Sequence, residues 1–134
     1  MTAPLVERLR LALAGRHDVR VAILFGSQAR GTARPDSDVD LAVDAPDVDP
    51  LDLAAELSLA LEREVDVVPL SDDPGVPLLE ALVRDGIVVH EATRGAGALW
   101  RSRALTTLET DRPWYERMSE AWLRRVAEKG FSRG

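Results

Sequence analysis

Leu24 to Val43 read LFGSQARGTARPDSDVDLAV, and the fold is decided within these residues. They open on the end of a β-rich run, Val19 to Phe25, with the apolar density of a strand buried on both faces. Gly26 and Ser27 follow with no spacer. A glycine after a buried strand lets backbone come close to a ligand, and Ser27 adds a hydroxyl. The turn beyond them can present backbone N–H groups to a phosphate. The competing reading is an ordinary strand-to-helix turn with Ser27 as its N-cap. Gln28 to Gly31 predict a short helical turn, and Thr32 to Ser37 are turn chemistry. Val39 to Val43 form a second short strand.

Three carboxylates sit on or beside strands, where carboxylates are normally depleted. Asp38 and Asp40 are two apart, and alternate residues of a strand share a face. The spacing therefore puts them side by side. Asp66 lies inside a third strand, Val65 to Leu70, among Val65, Val67 and Val68. If the second and third strands are neighbours, Asp66 joins the pair. Three acids so close repel unless a cation binds or one stays protonated. Hard divalent cations such as Mg²⁺ take oxygen ligands, typically one or two carboxylates plus substrate phosphates. The plain alternative makes Asp38 and Asp40 turn residues and leaves Asp66 facing solvent on an edge strand.

Outward from this stretch, Pro4 to Ala14 predict a helix, with Pro4 as a first helical residue and Gly15 closing it. Leu51 to Arg63 predict a second, with Leu53, Leu57, Ala60 and Leu61 on one side. A short helix over Leu78 to Asp85 is closed by Gly86, and Ile87 to His90 form a fourth strand. Two tail helices follow, Ala98 to Thr110 and Trp114 to Lys129, with a break at Asp111–Pro113. The expected class is α/β (α+β): a small mixed β-sheet with helices packed on it and a C-terminal helical tail. The core is placed at 1–93 and the tail at 94–134. Arg84 and His90 have the spacing of a ribonuclease motif, but Gly86 and the run Ile87 to Val89 make the interval turn and strand. His90 is read as a strand-end residue.

The chain has 134 residues, 46% hydrophobic and 30% charged, the balance of an ordinary soluble domain. It has no cysteine, which excludes disulfides, thiolate metal sites and cysteine nucleophiles. Two histidines, His17 and His90, are too few for an imidazole metal site. Neither a signal peptide nor a membrane span is visible, so a cytoplasmic protein is expected. Net charge is −6 but uneven: residues 34–73 carry −11 and residues 94–134 carry +4. The acidic middle, with Arg34 and Arg63 its only bases, argues against direct nucleic-acid binding and for bound cations or a basic partner.

Gly26-Ser27, ten residues, Asp38-Val39-Asp40 and a later strand acid, Asp66, together resemble the minimal nucleotidyltransferase group of the DNA polymerase β-like superfamily. The resemblance covers roughly residues 1–93. It implies a polymerase β-like nucleotidyltransferase fold and transfer of a nucleoside monophosphate from an NTP, with Mg²⁺ or Mn²⁺. It implies that Ser27 binds an NTP phosphate which Gly26 lets approach. Asp38 and Asp40 would hold the metal, and Asp66 would join them and position or deprotonate the acceptor hydroxyl. In-line transfer suits two metals, one on the attacking oxygen and one on the leaving group. Arg30 is added as a nucleotide-binding residue, because Arg serves oxygen-rich sites, with Arg34 a weaker candidate. No residue reads the base, and ATP is the default nucleotide.

Larger members of this superfamily hold the acceptor in an extra domain. Roughly 40 residues follow the core here, so the acceptor is expected on another molecule. The tail carries all three tryptophans and the single tyrosine, Tyr115. Trp114, Met118 and Trp122 recur at helical spacing with Ala121 beside them, either as an interface or as a stripe packed on the chain's own core. The minimal group is often the antitoxin half (the MntA type) of toxin–antitoxin systems whose partner is a HEPN-domain toxin. Some members transfer AMP to a tyrosine hydroxyl of that partner. The resemblance thus implies a Mg²⁺-dependent adenylyltransferase antitoxin. A binding-only antitoxin and an oligomeric small-molecule nucleotidyltransferase are the other two expectations.

Overall fold

A computed structural model describes residues 2–34, 37–70 and 74–129. Parts of the turn over Thr32 to Ser37 and of the loop after Leu70 lie outside the described residues, as does the side chain of Tyr115. In chain order the elements are α1 Thr2–Leu13, β1 Val21–Phe25, α2 Ser27–Arg30, β2 Val39–Asp44, α3 Pro50–Leu61, β3 Val65–Pro69, α4 Val76–Asp85, β4 Ile87–Glu91 and α5 Ala96–Lys129.

The sheet runs β3-β2-β1-β4. β1 is antiparallel to both its neighbours, while β2 and β3 are parallel. A parallel pair needs a crossover, and α3 supplies it. The mixed sheet expected from the sequence is therefore present, with the second and third strands side by side. Strand alternation sorts the core. Ala22, Leu24, Val39, Leu41, Val43 and Val65 pack with α1 and α3 on one face. Val21, Ile23 and Ala42 face the other way, toward Leu82 of α4 and Trp100 of α5. Three layers result, with helices on both sides of the sheet.

Boundaries shift by a residue or two. α1 begins at Thr2, which puts Pro4 third in the helix. Its missing N–H still falls in the first turn, where no intrahelical partner exists. His90 Nε2 lies 2.9 Å and 3.1 Å from the carbonyl oxygens of Arg16 and Val19. Carbonyls only accept, so Nε2 carries the proton and the ring ties β4 to the loop before β1.

The tail departs from expectation. No break occurs at Asp111–Pro113; α5 is one helix of 34 residues with Pro113 inside it. A proline removes one i→i−4 hydrogen bond and crowds the preceding turn, at a cost of roughly 3 kcal/mol. Leu, Arg, Glu, Met and Ala on either side favour helix and carry it through. Arg112, just before the proline, has its Nε buried and 3.6 Å from Glu80 Oε1 on α4. The first half of α5 belongs to the core: Ala104 and Leu108 are buried against Val76 and Leu79 of α4. Beyond Pro113 the stripe is open, with Trp114 58%, Met118 47% and Trp122 54% exposed. Packing of this stripe on the chain's own sheet is thus not what is found. No helix among the described residues is long and apolar enough to cross a membrane.

Candidate functional site

Phe25 pairs with Asp40 across β1 and β2, and Asp40 pairs with Asp66 across β2 and β3. The end of β1 and the starts of β2 and β3 therefore meet along one edge of the sheet. Asp40 and Asp66 have the parity of the face that carries Ala42, Ile23 and Phe25. Asp38 stands one residue before β2, where strand parity no longer applies; it borders a hollow with Arg8, Leu61 and Arg63 on the α1 and α3 side, and its charge is felt at Asp40.

Gly26 leaves β1 beside Asp40 with φ at +76°, a conformation that favours glycine. A Cβ there would stand 2.6 Å from Asp40 Oδ2. A side chain at position 26 is excluded twice, by the backbone and by the carboxylate it would strike. The structure thus places an Asp40 oxygen against bare backbone. Ser27 is the first residue of α2; Gly26 holds the N-cap position, and no side-chain bond caps the helix. The reading of Ser27 as an N-cap is set aside. Its carbonyl accepts from Thr32 N at 3.0 Å, which closes the turn. Arg30 and Arg34 are exposed, and Asp36, a candidate partner for them, lies outside the described residues.

Asp40 is half-buried, while Asp38 and Asp66 are exposed. Burial holds the Asp40 carboxyl above its ordinary range, and the negative charges of Asp66 and Asp38 push it further the same way. A cation relieves all three causes at once. Among the described residues no three His, Cys, Asp or Glu side chains form a ready-made metal cage. The donors are carboxylate oxygens on an open edge. That set fits a hard cation which keeps some of its waters and shares its ligands with substrate phosphates.

The loop before Asp38 is fastened by residues that the sequence reading passed over. Gln28 is the buried polar side chain of the described core, and its Nε2 donates to the Ser37 carbonyl at 3.1 Å. Arg63, just past α3, donates to the same carbonyl at 2.8 Å. Ser37 Oγ accepts from Arg34 N at 2.8 Å. On the other side of Asp38, Val39 N donates to the Glu64 carbonyl at 3.0 Å. Both neighbours of Asp38 are therefore pinned, and its side chain projects from a fixed backbone. A signal for Arg63 was available: it is one of two bases in a forty-residue acidic stretch.

Residues 7–94 match the family model described as Polymerase beta, Nucleotidyltransferase. A comparison with curated proteins found no match. Among solved structures, a toxin–antitoxin complex with AMP-PNP is similar, with 24% identity and a TM-score of 0.68 over 91% of this chain and 98% of that one. An MNT antitoxin in complex with a tri-AMPylated HEPN toxin from Shewanella oneidensis matches at 21% identity and a TM-score of 0.62. That match covers 91% of this chain and 95% of the other. At these identities the likeness establishes the fold.

Proposed function

The chain belongs to the polymerase beta nucleotidyltransferase family, and we propose that it transfers AMP from ATP to a hydroxyl of a partner protein, as the antitoxin that neutralises a HEPN-type toxin. The observation that carries this reading is the alignment of Gly26, Asp40 and Asp66 across three neighbouring strands, with the charge of Asp38 acting on Asp40. Nucleotidyl transfer needs close backbone approach to phosphates and hard oxygen donors, and the bare backbone at Gly26 beside the carboxylates of Asp40 and Asp66 supports that reading. The similarity to a complex holding AMP-PNP and to one whose toxin is tri-AMPylated supports the choice of nucleotide and acceptor.

In this reading the bare backbone at Gly26 admits the triphosphate, and the Ser27 hydroxyl donates to a phosphate oxygen. Arg30 and Arg34 stand near enough in sequence to meet the outer phosphates. Asp38 and Asp40 would hold Mg²⁺, which supplies positive charge to the phosphates and to the departing pyrophosphate. Asp66 takes the proton of the acceptor hydroxyl as its oxygen attacks the α-phosphorus. One P–O bond forms to the acceptor, the bond to pyrophosphate breaks, and AMP remains on the partner. The exposure of Asp38 and Asp66 suits an acceptor carried on another macromolecule.

The test pairs the chain with a HEPN-domain toxin and MgATP and reads AMP addition by intact mass. Wild type adds AMP and relieves toxicity. The double variant Asp38→Asn with Asp40→Asn still binds the toxin but neither modifies nor neutralises it. If that variant protects cells as well as wild type at equal expression, neutralisation is by contact alone and the catalytic reading fails.

A further inference from the structure

The uncovered half of α5 repeats the covered half. Trp100, Ala104 and Leu108 pack into the core, the last two fully buried. Fourteen residues on, close to four turns, stand Trp114, Met118 and Trp122 at the same spacing and on nearly the same side. α4 covers the first set. The second set, with Leu123 at 58% exposure, lines a shallow apolar hollow with Ser119. A helix face that changes from core to surface while keeping its pattern is built to be covered.

The chemistry of that face says by what. Met118 stands at its centre, with Trp114 and Trp122 four residues to either side. Seven residues to either side, two turns away and on the same side of the helix, stand Asp111, half-buried where the covered half ends beside Leu79 and Arg103, and Arg125, exposed. The order Asp–Trp–Met–Trp–Arg is its own complement when reversed. Two copies crossing antiparallel at Met118 set each Trp114 by the other's Trp122 and each Asp111 by the other's Arg125. A parallel crossing would set like charges together. Glu116 and Glu120 fall on the far side of the helix and stay in water.

We propose that this face is occupied by a second copy of the chain, in a two-fold antiparallel pairing of the distal halves of α5 centred on Met118. The pairing is isologous, as closed dimers are, and continues in trans the layer that α4 forms in cis. It does not depend on the nucleotidyl-transfer reading. A contact of a few helical turns is small, so a reversible dimer with a dissociation constant on the order of 10 μM is expected.

Sedimentation of the full chain from about 1 to 300 μM tests the pairing, a range chosen to bracket that constant. Wild type is expected to pass from monomer to dimer, and Met118→Glu to remain monomeric with an unchanged helical spectrum. Asp111→Arg and Arg125→Asp each weaken the dimer roughly 5- to 10-fold, and the two together restore it to within about 2-fold of wild type. The chain has no cysteine, so single cysteines report contacts cleanly. Met118→Cys is expected to give a disulfide-linked dimer under mild oxidation, and Glu120→Cys is not. A wild type monomeric throughout overturns the proposal and leaves the face to another protein. So does a double charge reversal as weak as either single one, or equal cross-linking at positions 118 and 120.

Discussion

Two carboxylates in this molecule each lie against glycine backbone, with opposite consequences. At the junction of β4 and α5, Glu91 accepts from Gly97 N at 2.8 Å and Gly95 N at 3.2 Å. Those two backbone bonds, Gly97 first, hold its carboxyl below the ordinary range. At the acid edge, Asp40 meets the Cα side of Gly26 rather than an N–H, and its other neighbours are acids. Its carboxyl is held above the ordinary range, by burial first. The first arrangement satisfies a helix start and is complete. The second gathers unfavourable charge, which in the proposed function a bound cation would offset. Charge against glycine is satisfied in one place and unsatisfied in the other; the direction the backbone faces makes the difference.

The strongest way to break this contrast is Asp66→Asn. If Asp66 takes the acceptor proton, transfer falls about 10²–10⁴-fold while MgATP binding changes little, as rapid quench and isothermal titration would read. Wild-type-like transfer would make Asp66 a spectator. Next is Arg63→Ala, which leaves the Ser37 carbonyl only its bond from Gln28 and so loosens Asp38. Loss of such outer support typically costs about 10- to 100-fold, here expected in activity and in Mn²⁺ affinity read by electron paramagnetic resonance. Arg63→Lys, which keeps one donor, is expected to recover part of it.

The remaining two predictions concern stability. Glu91→Ala removes the acceptor for the start of α5 and is expected to cost about 1 kcal/mol, seen in a urea melt. Because the folded carboxyl sits below its ordinary 4.5, its contribution is present above that pH and lost as pH falls through the folded value. Wild type and variant should therefore converge in acid. Asp40→Asn is expected to act in the opposite sense, raising the melting temperature by about 2–4 °C near neutral pH without divalent cations. The Asp40 carboxyl is raised in the fold, so its favourable contribution exists below the unfolded value and is lost as pH rises through the folded one. Millimolar Mg²⁺ should shrink the difference. An Asp40→Asn variant less stable than wild type would mean that the acid edge is a structural pair like that of Glu91.

Much of this was legible in the residues. The solid run to Phe25 and the glycine after it signal through local rules, apolar density and permitted backbone angles; strand parity was extended to Asp38, which stands just outside β2. Asp66 required a tertiary fact, the adjacency of β2 and β3, which the sequence raised only as a condition. Of the Gln28–Ser37–Arg63 clamp only the isolation of Arg63 among acids left a trace, because a polar side chain reaching a distant carbonyl has no period. The misplaced break at Pro113 shows local propensity losing to context: one proline was outweighed by the helix formers around it and by the packing of Trp100 to Leu108. That Trp114, Met118 and Trp122 stand open was likewise beyond pattern, since a core stripe and a surface stripe have the same spacing.

Pro113 leaves a seam in α5. With no N–H to offer, it deprives the Glu109 carbonyl of its helical partner. On the core side of the seam, opening a hydrogen bond means parting α5 from α4. On the far side it means only unwinding a few turns of exposed helix. Amide exchange should record the difference as a step between Leu108 and Trp114, slow before and fast after, rather than a gradual fraying from the end. The helix is continuous as geometry but divided as a unit of opening, and binding at its distal face would show as the disappearance of that step.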